Sequence, residues 1–104
     1  MTRVTFLARR SVMPTTKYVL FYKPDPAAFP KAGALFPSHV AHFSAFREQG
    51  RLISFGAFAD LVGHGSMGIF PSKADAEEFV KNDPFVKEGI VATHEIREWT
   101  DSVG

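Results

Sequence analysis

Apolar residues along the chain follow two alternating periods. From Tyr18 to Tyr22 the run YVLFY is apolar on both faces of a strand and ends at Lys23-Pro24-Asp25-Pro26, where two prolines interrupt any regular element. The segment from Ala27 to Phe36, followed by Pro37, holds Pro30 and Gly33 and reads as a loop. It leads to Ser38, the expected N-cap of a helix running to Gln49 and closed by Gly50. On a 3.6-residue period His39, Phe43 and Phe46 share one side of that helix and His42 lies at its edge, so its aromatic side faces a core. Between Leu52 and Ala59 the period returns to two, with Ile53, Phe55 and Ala57 on one face and Leu52, Ser54, Gly56 and Phe58 on the other. Asp60 to Ser66, with Gly63 and Gly65, is the expected turn of a hairpin whose returning strand carries Met67, Ile69 and Phe70 and stops at Pro71.

Ser72 is placed to cap a second helix, with Asp75 three residues on as in a capping box and Glu77 and Glu78 near its positive end. Phe79 and Val80 are its core residues. Asn82-Asp83-Pro84-Phe85 breaks that helix, Gly89 closes a further turn, and Ile90 to Trp99 forms the last strand. Strand, helix, strand, strand, helix, strand is the order of a ferredoxin-like sandwich, an α+β fold whose antiparallel sheet carries helices on one face. The other face would then be bare, and the first two strands are apolar on both sides. A homodimer with two sheets face to face is the expected remedy.

Composition narrows the range of functions. The chain has 104 residues, enough for one core and too few for two, and its 45% apolar content with eleven Phe argues for a folded domain. Twelve basic against eleven acidic residues leave a net charge of +1, too little to attract nucleic acid. The chain has no Cys, so thiolate metal sites, disulfides and a thiol nucleophile are excluded. No apolar run approaches the roughly 20 residues of a membrane span, and a soluble, cytoplasmic protein is expected. Arg3, Arg9 and Arg10 stand out near the start, before the first acidic residue, Asp25. Residues 1–15 read as an extension ahead of the domain at 16–101, with Met13 as the natural start; a targeting segment is the alternative.

Two residues carry candidate chemistry. His39 falls at the first turn of the expected helix, on its inward face, where the helix dipole favours a neutral imidazole able to accept a proton. A core-edge histidine bonded to a carbonyl is the other reading. Asp83 before Pro84 has the pattern of an N-cap followed by proline at the first helical position. It could equally orient the His39 ring if the fold joins them, which spacing alone does not show. His39 and His42 lie three apart, with His64 and His94 elsewhere, but these four histidines have no recognisable zinc spacing, and no metal is expected. Gly63-His64-Gly65-Ser66-Met67-Gly68 matches the dinucleotide fingerprint in its letters but leads into a strand, so hairpin glycines with positive φ account for it better.

Taken together, several of these residues resemble the YCII-related (YciI-like) family of the dimeric α+β barrel group. The resemblance runs from about Tyr18 to Trp99 and rests on His39 eleven residues before Gly50 in SHVAHFSAFREQGRLISFG, then on Gly56, Asp60 and Ala76. The DPF triplet at Asp83 to Phe85, Gly89 and the closing Glu98-Trp99 complete it. It implies a ferredoxin-like fold, sheet-to-sheet homodimers, and a pocket in which His39 and Asp83 form a catalytic pair. An arginine often stands shortly before the family's histidine; here Phe36 is there instead.

The resulting expectation is a cofactor-free lyase or isomerase doing acid-base chemistry on a small ligand, such as a hydroxylated aromatic. His39 and Asp83 would be catalytic, and Phe43, Phe55, Phe58 and Asp60 substrate-binding. The rival is a non-catalytic dimeric module that only holds a small metabolite.

Overall fold

In the computed structural model, which describes residues 14–104, one four-stranded antiparallel sheet carries the chain. Its strands are β1 (Thr15–Pro24), β2 (Ser54–Ala57), β3 (Ser66–Phe70) and β4 (Val91–Asp101), in the spatial order β2-β3-β1-β4. The helices are α1 (Ala32–Glu48), α2 (Leu61–His64), α3 (Lys73–Asn82) and α4 (Pro84–Lys87), with a single 3₁₀ turn at Phe29–Lys31. This is the ferredoxin-like α+β arrangement expected from the element order, with the helices on one face. The proposed extension, apart from Pro14 and Thr15, and the proposed start at Met13 lie outside the described residues. Thr15 already pairs with Asp101 in the sheet.

The register decides which face each side chain takes, because directly opposed residues of an antiparallel pair point the same way. Leu20 lies opposite Gly68 and Ile96, and Tyr22 opposite Ser66 and His94; this face meets the helices. Leu20, Tyr22, Phe70, Phe46, Leu52 and Phe79 form the core there. Phe55 lies opposite Gly68, and a Cβ on Gly68 would stand 2.6 Å from the Phe55 ring, so the glycine makes room for it. The other face carries Val19, Phe21, Met67, Ile69 and Trp99.

The first helix departs from expectation. It begins at Ala32, more than a turn ahead of Ser38, and runs 17 residues with Pro37 inside it. Ser38 is therefore helical and caps nothing. Ala32, Ala34 and Leu35 are strong helix formers, and Pro37 sits in the second turn, where little of the hydrogen-bond ladder precedes it. His39 accordingly lies in mid-helix, where the dipole of the helix end no longer acts on it.

The expected hairpin turn instead contains α2, a single helical turn whose first free N–H groups are met by Asp60: its carboxylate accepts from the Gly63 N–H at 3.1 Å. Of the fingerprint glycines only Gly65 has a positive φ, +78°, and a Cβ there would collide with the Tyr22 carbonyl. Gly63 is helical and Gly68 is a strand residue. Ser72 caps α3 by accepting from the Asp75 N–H, while the Asp75 carboxylate accepts from Arg51 rather than closing a capping box. No helix of the described residues is long and apolar enough to cross a membrane.

Candidate active site

Three segments distant in sequence converge on one carboxylate. Asp83 sits in the joint between α3 and α4 with no solvent exposure. Its Oδ1 accepts from the Phe85 backbone N–H at 3.0 Å, the N-cap geometry that the Asp-Pro pair leads one to expect. The same oxygen lies 2.9 Å from His39 Nδ1, and Oδ2 accepts from the Tyr22 hydroxyl at 2.8 Å. Cap and histidine partner are thus the same residue.

This arrangement sets the state of each partner. Because Oδ1 already serves a backbone N–H, which can only donate, the carboxylate acts as acceptor and His39 donates from Nδ1. The neutral ring then carries its lone pair on Nε2. Among the described residues that nitrogen has no partner and no buried side-chain nitrogen or oxygen is left unpaired, so Nε2 is the edge of the ring open to the neighbouring cavity. Burial, and next the charge of Asp83, pushes the Tyr22 phenol far above its ordinary value. Tyr22 therefore stays protonated and stays a donor to Asp83 throughout the working pH range.

Aromatic packing fixes the ring in place. Phe85 stacks on His39 with centroids 4.0 Å apart and planes within 5°, while Phe43 and Phe55 meet it edge-on at 5.3 and 5.5 Å. With its plane held by these rings and its Nδ1 held by Asp83, the imidazole has one available direction for chemistry.

His39 opens on a cavity of about 220 Å³. Phe29, Phe36, Phe43, Phe55 and Phe85 supply aromatic walls, and the small Gly56 and Ala57 leave the space between them. Among the described residues its polar side chains are His39, Ser66, and Tyr22, whose hydroxyl is already spent on Asp83.

Of the residues singled out in the sequence, His39, Asp83, Phe43 and Phe55 come together here. Phe58 and Asp60 do not. Phe58 is 38% exposed, in a groove with Met67 and Ile69 on the outer side of the sheet, because its parity along the strand is opposite to that of Phe55. Asp60 is exposed and engaged as the α2 cap. His42 donates to the Phe79 carbonyl at 2.8 Å, and no three His, Asp or Glu side chains among the described residues gather as a metal site requires. Tyr22 and Phe85 are not among the expected site residues, although Phe85 belongs to the DPF triplet. Tyr22 had one legible signal: it shares parity with Leu20, so its hydroxyl enters a core where a phenol needs an acceptor.

Comparison with known proteins places these features in context. The family model described as YCII-related domain matches residues 16–100. No curated protein sequence matches the chain. Among solved structures, the chain is similar to 5-chloro-2-hydroxyhydroquinone dehydrochlorinase from Burkholderia phenoliruptrix AC1100, determined in complex with 2,5-dihydroxybenzoquinone. The TM-score is 0.64 at 21% identity, covering 80% of this chain and 92% of that one.

Proposed function

The chain belongs to the YCII-related family, and from that premise we propose that it is a small-molecule enzyme in which His39 moves a proton on a hydroxylated ring while Asp83 orients and balances the imidazole. One observation carries this reading: a histidine held by a buried carboxylate at Nδ1 presents an unpartnered Nε2 to an aromatic-walled cavity. That is the geometry of a general base. The similar solved structure is of an enzyme acting on a hydroxyhydroquinone, which supports a ring of that kind as the substrate class.

The step balances with the groups present. A ring hydroxyl gives its proton to Nε2, and the imidazolium formed is countered by Asp83. The vacated electron pair makes a carbonyl as a ring carbon takes the proton back, an isomerisation of phenol to dienone. Where that carbon bears a leaving group, loss of a second hydroxyl proton expels the group with its bonding pair, an elimination that releases one proton and one anion. No electron acceptor enters either course.

The test is turnover on a panel of polyhydroxylated benzenes, with and without a halogen, followed by ring absorbance and halide release. Conversion above the buffer rate for at least one member is expected. Binding without conversion across the panel would instead make the protein a holding module, with Nε2 only receiving a ligand hydrogen bond.

The working form is proposed to be a pair of chains joined through the outer sheet face. That face presents Phe21, Met67 and Ile69, with Trp99 at 43% and Phe58 at 38% exposure beside them. Light scattering at micromolar concentration should return twice the mass of one chain; a stable monomer would refute the pairing.

A further inference from the structure

The chemistry of the cavity wall selects among possible rings by charge. Among the described residues, none that lines it is a lysine, arginine, aspartate or glutamate. A fixed negative charge stands directly behind His39: Asp83, fully buried and in contact with it. If His39 takes up a proton, the pair only becomes neutral, so it offers no net positive charge in either state. A ligand arriving with a carboxylate or phosphate would lose its hydration against aromatic side chains and face the field of Asp83 across a low-dielectric gap. A charge generated inside is different, because the proton lost by the ring remains on His39 and the new anion has a partner.

Size narrows the class further. A cavity of about 150 Å³ lined by apolar side chains accommodates benzene, so about 220 Å³ holds one substituted ring and no nucleotide. The mouth has a natural control point in Phe36, 53% exposed on α1 with its ring 6.3 Å from His39. It is an exposed wall residue on a helix, where a cation could be introduced without disturbing the core.

Resting on the reading of this cavity as the ligand site, we infer that it admits single rings that carry hydroxyl groups and no ionic substituent, rejects their carboxylate analogues, and owes this preference in part to Phe36. Three probes test it by calorimetry under anaerobic buffer near pH 7: hydroquinone, 2,5-dihydroxybenzoate and its methyl ester. The ester matches the acid closely in bulk but not in charge.

Hydroquinone and the ester should bind, with the acid weaker than the ester by about a hundredfold. Phe36→Arg, at an exposed helical position that tolerates arginine, should close that gap by at least about tenfold. Equal binding of acid and ester by the wild type overturns charge selection, as does rejection of both while hydroquinone binds, which would mean selection by bulk. No binding of any probe at millimolar concentration overturns the ring site itself. An unchanged gap in Phe36→Arg removes Phe36 from the account. Since the readout is binding alone, a preserved charge preference in a protein that turns over no panel member would refute the proposed catalysis and leave this inference standing.

Discussion

His39→Asn is expected to lower kcat by about a thousandfold, within the range that a positioned general base contributes, while the protein stays folded. Asparagine is the informative replacement because its side-chain nitrogen falls where Nδ1 stood and still donates to Asp83, but nothing reaches the position of Nε2. The base is deleted and the buried carboxylate keeps its partner. Loss of the ring removes the stack on Phe85, so a stability decrease of about 1–2 kcal/mol is expected from the contacts forfeited. Rate measurements beside a thermal melt read both effects. Turnover within a few-fold of wild type would remove His39 from the chemistry and with it the proposed mechanism.

Asp83→Ala should be the most destabilising single change at the site, at about 3–5 kcal/mol, with a fall in melting temperature of more than about 10 °C. Three donors lose their acceptor together: the Tyr22 hydroxyl, His39 Nδ1–H and the Phe85 N–H. None of them gains water, because the position is sealed. Asp83→Asn should be much milder. The Phe85 N–H requires an oxygen at the Oδ1 position, so the amide turns its carbonyl there and continues to accept from His39, leaving its NH₂ to face the Tyr22 oxygen. Nε2 thus remains the free lone pair, and only the counter-charge to the imidazolium disappears. A stability cost of about 1–2 kcal/mol and a kcat loss of ten- to a hundredfold are expected, smaller than that of His39→Asn. If the asparagine variant turns over normally, Asp83 is a helix cap and no more. If it unfolds as readily as the alanine variant, the charge itself holds the joint between α3 and α4.

The elements were legible to different degrees, for physical reasons. The β1 run, the Ser72 cap of α3 and the Asp83-Pro84 start of α4 are local features, each decided by a few adjacent residues, and they occur where the pattern places them. The start of α1 is not of this kind. Gly33 and Pro37 mark a break by propensity, yet the helix continues through them because burial of His39 and Phe46 on one face outweighs those local costs. With the start moved, the dipole argument for His39 no longer applies, and its orientation comes from Asp83, 44 residues away.

Phe55 and Phe58 show the same limit at the cavity. The two-residue period already sets them on opposite faces of the strand, so both cannot line one cavity; which face meets His39 is decided by the pairing of Phe55 with Gly68, and Phe58 falls on the other side of the sheet. Along the chain itself stand the period of each element, the caps, the order that gives a ferredoxin-like sheet, and the small net charge and absence of cysteine that narrow the chemistry. Joining Tyr22, His39 and Asp83 was decided only by packing. A carboxylate is stable in a sealed core only where donors from separate elements reach it at once, and strand register and helix docking determine which donors those are.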